Sequence, residues 1–240
     1  MSRSAHVLEG DLAEWGPSAR GGPRTVDFVW LSVVLGGPGL VIALVLGLTV
    51  GWVFAAGAAI LYSAGLFAWY LRQGRIALRE ANARPLDPAG APRLFNVARG
   101  LADDLGVAVP TLWVISGEGP NALALRSGGP ALAVSQDLLD DYTRTELEGV
   151  VAHCLIRLQP GAQRRARLAA AFGELAGPAG TLGLGDVDAR AVAFTRYPLG
   201  LAGAVAKASP RAGRSASFWF VPDGSRHVSR DDRAALLREL

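Results

Sequence analysis

His153, Cys154 and Arg157 fall within five consecutive residues, and the first two carry side chains that can do chemistry. An imidazole binds metals or moves protons near neutral pH, and a thiol becomes a nucleophile once deprotonated. Arginine stays protonated and has no lone pair to give a metal. A Cys154–His153 nucleophile pair is disfavoured, because consecutive residues on a helix point about 100° apart. Cys154 therefore reads as a small buried core residue, and His153 as a histidine at the core edge, hydrogen-bonded to a neighbour. As the sole cysteine, Cys154 excludes an intramolecular disulfide and a thiolate cage for zinc.

The element that must position these residues is legible. Thr143-Arg144-Thr145-Glu146 has the pattern of a capping box. Leu147, Val150, Val151, Cys154, Leu155 and Leu158 follow at i, i+3, i+4, i+7, i+8 and i+11, and Pro160-Gly161 ends the helix. His153 and Arg157, four apart, share a strip at the edge of that stripe. Upstream, Leu94, Val97, Ala98, Leu101 and Leu105 predict a helix over 91–105, stopped by Gly106. Apolar runs at 111–115, 121–125 and 130–135, separated by Gly- and Pro-rich turns, predict three short strands. The expected class is α+β, mainly helical, with a small β-sheet.

No Asp, Glu, Lys or Arg occurs from Phe28 to Leu71, a run of 44 residues, whereas one crossing needs roughly 20. Two spans fit, at about 28–46 and 52–71, with 47–51 as an uncharged turn. Trp30, Trp52, Trp69 and Tyr70 sit near the ends, where aromatic rings favour the headgroup region. Pro38, among Gly36, Gly37 and Gly39, predicts a kink in the first helix. A secretory signal is the rival reading, but the run is too long, starts late and is followed by a second span; a single tilted span is the other. Arginines 3, 20 and 24 precede the run and arginines 72, 75, 79 and 84 follow it, so the positive-inside bias places both ends in the cytoplasm. The expected organisation is a disordered tail at 1–27, a two-helix transmembrane hairpin at 28–71 and a cytoplasmic domain at 72–240. The formal net charge of +3 is modest and no basic run is interleaved with aromatics, which argues against nucleic acid as a partner. Arg164, Arg165 and Arg167 read as a solvated helix face, with contact to anionic lipid as the alternative.

Four segments in fixed order carry a family resemblance: Pro110 to Ile115, Pro120-Asn-Ala-Leu-Ala124, Ala131 to Leu139, and Glu146-Leu-Glu-Gly-Val-Val-Ala-His153. Together with a fifth, Asp188 to Ala202, they resemble the HtpX-like membrane zinc metallopeptidases over about 94–207. Those are gluzincins with an N-terminal membrane hairpin and a zincin-like cytoplasmic domain. The family motif is H-E-x-x-H, in which two histidines one turn apart bind zinc and the glutamate activates the bound water. Here it reads His153-Cys154-Leu155-Ile156-Arg157. The resemblance implies that His153 keeps a ligand position, that Cys154 stands at the general-base position, and that Arg157 and Leu184 stand at lost ligand positions. It also implies that Asp188 occupies the place of an aspartate that hydrogen-bonds a zinc-binding histidine. Asp186 is a further candidate, if a register shift around Gly183 and Gly185 turns it toward His153, and Asn121 lies in a resembling segment.

The expected function is that of a multi-pass plasma-membrane pseudopeptidase with no zinc cofactor. Its partners would be the lipid bilayer and a peptide or protein held along the old substrate groove at the sheet edge. The alternatives are an active metalloendopeptidase with an aberrant zinc site and a structural protein that binds nothing. Arg157 is expected either to pair with Asp188, replacing the charge of the absent metal, or to be solvated.

Overall fold

The computed structural model describes residues 29, 32–117, 119–224 and 228–240; the tail expected at 1–27 and the Trp30 ring lie outside them. Two helical segments, Ser32–Thr49 and Trp52–Glu80, are long and apolar enough to cross a membrane. The first opens as a π-helix, Ser32–Gly36, and becomes α1, Gly37–Thr49, with Pro38 in its first turn. Pro38 has no N–H to give the preceding turn, so the wider hydrogen-bonding pattern falls where the sequence predicts a kink. Gly51, at φ 123°, makes the turn to α2, Trp52–Glu80. A Cβ on Gly39 would lie 2.7 Å from the Tyr62 ring, and the Tyr62 hydroxyl donates to the Leu35 carbonyl at 2.9 Å, so small residues bring the two helices together.

α2 does not stop at Leu71. It runs on to Glu80 and buries Gln73, Gly74, Ala77 and Leu78 against the rest of the chain, so the expected boundary at 72 falls inside a continuous helix. β1 (Arg84–Pro85) follows, then α3 (Pro92–Leu105), which ends on Gly106 in the left-handed conformation. β2 (Thr111–Ile115), β3 (Ala122–Arg126) and β4 (Pro130–Ser135) complete a four-stranded sheet of order β1-β2-β4-β3. β2 and β4 are parallel, with Thr111 opposite Ala131, and β3 returns antiparallel to β4, with Leu123 opposite Ala133.

Both faces of this sheet are covered, which is why its strands read as continuous apolar runs. Leu112, Ala122, Ala124, Leu132 and Val134 face α3, α5 (Arg144–Arg157), α8 (Pro198–Lys207) and α9 (Arg230–Arg238). Ile115, Leu123, Leu125, Ala131 and Ala133 face the end of α2, α6 (Pro160–Phe172) and the 3-10 turn Arg214–Phe218. The remaining helices are α4 (Gln136–Asp141) and α7 (Leu184–Thr195). The capping box at Thr143 and Glu146 forms with both reciprocal hydrogen bonds. Pro160 both ends α5 and starts α6, and Trp219 makes an isolated antiparallel bridge to Leu123.

The close approach of α2 to the sheet is testable. A Cβ at Gly74 would lie 2.7 Å from the backbone carbonyl oxygen of Arg126, which cannot yield, whereas Gly100 on α3 has open space around it. Gly100→Ala is expected to stabilise by up to about 1 kcal/mol and Gly74→Ala to destabilise by about 1–3 kcal/mol. Thermal unfolding in detergent reads the opposite signs; a shared sign contradicts this packing.

Candidate functional site

α5 is buried on nearly every side, and His153, Cys154 and Arg157 are all within the core. Arg157 is therefore not solvated. α7 crosses α5 and presents Asp188, which is fully buried. The His153 Nδ1 lies 2.7 Å from Asp188 Oδ1. Arg233 of α9 holds the same carboxylate with two hydrogen bonds, Nε to Oδ2 at 2.6 Å and Nη2 to Oδ1 at 2.7 Å, and donates through Nη1 to the Phe220 carbonyl at 2.8 Å. The Phe220 ring meets His153 edge-on at 5.0 Å between centroids.

The partner of Asp188 is thus Arg233 and not Arg157, which corrects the pairing expected from sequence. Arg157 points toward the other face of the sheet, where it donates to the Trp219 carbonyl at 2.5 Å and to the Ser217 carbonyl. The reason is reach and supply: the turn after Gly213 aims two carbonyls at the end of α5, while Arg233 and His153 already hold the carboxylate. Asp186 sits two residues before Asp188, roughly 200° around the helix, and is half-exposed. Gly183 adopts a left-handed conformation and starts α7 in a register that leaves Asp188 on the His153 side. Leu184, one turn before Asp188, is buried with the sheet's second face. Asn121 is buried and structural: its Nδ2 donates to the carbonyls of Ser209 (2.7 Å) and Val221 (3.0 Å), and its Oδ1 accepts from the Val221 N–H.

The charge states follow from these contacts. Burial pushes the Asp188 carboxyl up, but Arg233 and His153 outweigh it and hold it down at about 2. Burial pulls His153 down to about 4 against the pull of Asp188, so the imidazole is neutral near pH 7. An ionised Asp188 accepts, which assigns the proton to Nδ1 and leaves a lone pair on Nε2. That Nε2 is buried with no hydrogen-bond partner among the described residues. Burial lowers Arg157 to about 10, still protonated near pH 7, and raises the Cys154 thiol to about 12, which removes it as a nucleophile.

A zinc ion does not fit these residues. His153 Nε2 has the lone pair and the Asp188-fixed tautomer of a metal ligand. The positions one turn along α5 and one turn before Asp188 nevertheless hold a guanidinium and an isobutyl group. Among the described residues no group of three or more His, Cys, Asp or Glu side chains could hold a metal. The buried cluster of Asp188, Arg233 and Arg157 also carries a net positive charge already, which a divalent cation would raise.

The chain is 35% identical over 122 residues to a protease HtpX homolog of Thermococcus sibiricus, covering 50% of this chain and 41% of the relative. It is 32% identical over 125 residues to the homolog of Nostoc punctiforme, covering 50% and 42%. About half of the chain is thus similar to protease HtpX homologs. A third homolog, from Thermococcus kodakarensis, is 38% identical over 95 residues, or 39% of this chain and 33% of its own. The chain thus spans between a third and about two fifths of the length of these curated relatives. No family model matches it, and no solved structure does.

Gln163 carries a role that the sequence did not advertise. Its Nε2 donates to the carbonyls of Ala124 (3.0 Å) and Arg157 (2.9 Å), and its Oε1 accepts from the Arg126 N–H (3.0 Å). With the Phe220 N–H on the Ala122 carbonyl at 2.7 Å and Arg167 on the Arg126 carbonyl, the outer edge of β3 is occupied by the chain itself. A peptide cannot add there as a strand without displacing these groups. A glutamine that does this looks like any other polar residue on a helix, and only its position two residues after Gly161 hints that it faces inward.

Two measurements test the electrostatics. Asp188→Asn or Arg233→Met leaves the other group buried and unpaired and is expected to cost about 3–5 kcal/mol, with the double variant losing clearly less than the sum. Thermal unfolding of the four proteins in detergent measures this, and strict additivity contradicts the pairing. For pH, the folded pKa of His153 lies below the ordinary 6.5, so the unfolded chain binds the extra proton between about pH 6.5 and 4. Stability is therefore present above 6.5 and falls with acidification, by roughly 3 kcal/mol at pH 4. His153→Gln should flatten that part of the profile; parallel profiles for the two proteins refute a neutral buried His153.

Proposed function

We propose that this chain is a pseudopeptidase: a multi-pass protein of the plasma membrane whose HtpX-like domain lies in the cytoplasm and acts by binding rather than by cutting peptide bonds. The observation that carries this reading is the Arg157 guanidinium, buried at the second ligand position and fixed on two carbonyls. Proteolysis by this family's route needs three ligands, an open fourth position and a base for the water. Here one ligand atom, the His153 Nε2, stands beside a fixed cation and a protonated thiol. No zinc cofactor is expected. Because β3 is closed, a peptide or protein partner would engage another face of the old groove rather than lengthen the sheet.

The second reading, a metalloendopeptidase with an aberrant zinc site, rests on the unpartnered His153 Nε2. Cleavage of casein by the purified full-length chain, with and without a chelator, separates the two. Pseudopeptidase function predicts no chelator-sensitive cleavage by the natural chain. The variant combining Cys154→Glu, Arg157→His and Leu184→Glu is expected to bind one zinc ion, because the backbone frame of α5 and α7 is intact. Chelator-sensitive cleavage by the natural chain contradicts the proposal.

A further inference from the structure

α2 is one uninterrupted helix from the apolar run into the folded domain, so it sets the level of everything tied to it. From Trp52 to Leu71 it carries no charged residue, and at a rise of 1.5 Å per residue that stretch is about 30 Å long, the thickness of the hydrocarbon core of a bilayer. Trp69 and Tyr70 therefore lie at the border between hydrocarbon and headgroups, and Arg72, the first charged residue, lies in the headgroup layer. Both rings carry a cation, as suits that border: Arg214 stacks over Trp69 at 5.3 Å and Arg167 over Tyr70 at 5.8 Å.

Side chains on a helix lean toward its start, which for Trp69 is toward the bilayer centre. The Trp69 Nε1 donates to the Ala171 carbonyl at 3.0 Å. Ala171 is the last residue but one of α6, so the end of α6 and the 3-10 turn that follows it, Gly173–Gly180, are held at the same border. Their composition suits that place. Glu174 is the one charged residue from Leu168 to Gly185, and it has a partner within the chain. Leu175 is 55% exposed, and Pro178 is exposed beside it. Apolar side chains turned outward at the border are covered by lipid rather than by water.

Resting on the reading of α1 and α2 as membrane spans, we infer that the folded domain makes a second contact with the bilayer: the end of α6 and the turn Gly173–Gly180 lie in the lipid interface, with the Leu175 side chain entering the border of the hydrocarbon. The partner of this surface is the lipid itself, continuous with the lipid around α2. The domain then meets the bilayer at two points, which limits how far it can tilt with the helix. This contact is independent of the zinc question.

Nitroxide labelling of the full-length chain in phosphatidylcholine liposomes tests this contact. Cys154 is fully buried, so single labels can be placed through Leu175→Cys, through Leu61→Cys as a reference within the span, and through Asp103→Cys on α3 as a reference in water. Leu61 stands about 15 Å along α2 from Leu71, near the bilayer centre. All three positions are exposed, so the variants should fold, and unchanged thermal midpoints check that. Collisions with oxygen, which concentrates in hydrocarbon, are expected to outnumber those with a water-soluble nickel chelate at positions 61 and 175, with the larger ratio at 61, and the reverse is expected at 103. Nickel prevailing at 175 while oxygen prevails at 61 overturns the inference and leaves the spans standing. Nickel prevailing at both overturns the spans and the inference with them.

Discussion

A carboxylate at the centre of a folded domain must have its charge balanced where it lies, because moving it out of water costs several kcal/mol. Asp188 is that carboxylate here. Arg233 meets it with two hydrogen bonds and His153 with a third, and this arrangement joins α5, α7 and α9 at one point. The pairing leaves His153 neutral and its Nδ1 protonated, with Nε2 turned into the core. In a metal site the ion would supply the balancing charge. In this chain the Arg233 guanidinium of α9 supplies a balancing charge.

The second arginine follows from the first. Once Arg233 holds Asp188, the charge on Arg157 needs other partners, and the carbonyls of Ser217 and Trp219 provide them. That turn packs on the sheet face also covered by α6 and the end of α2. Ser217 fastens it further, its hydroxyl donating to the Ala166 carbonyl at 2.8 Å, while Gln163 ties the end of α5 to β3. A continuous set of contacts therefore runs from the apolar hairpin through Gly74 and Trp69 to the backbone that grips Arg157. The same contacts close the outer edge of β3.

Much of this was legible in the sequence wherever local chemistry decides the outcome. The capping box at Thr143, the Gly106 stop and the strands at 111–115 and 130–135 rest on spacing and on residue type alone. The HtpX-like segments pointed to α5 and α7 and to the approach of Asp188 to His153. Contacts across long sequence separation were not legible. Arg233 stands 45 residues from Asp188, and nothing in its neighbourhood marks it as the charge partner. Arg157 looked equally suited to pair with Asp188 or to face water, because spacing on one helix does not say what the next helix presents. The continuation of α2 past Leu71 was hidden by the first charged residues, which mark the edge of the apolar run and not the end of the helix.

The guanidinium at 157 is expected to exclude a metal from the lone pair at His153. Zinc content of the full-length chain, purified in detergent without chelator and compared with a His153→Ala variant, measures this directly. No stoichiometric zinc and no difference between the two proteins are expected; one zinc per natural chain, lost in the variant, would contradict that exclusion.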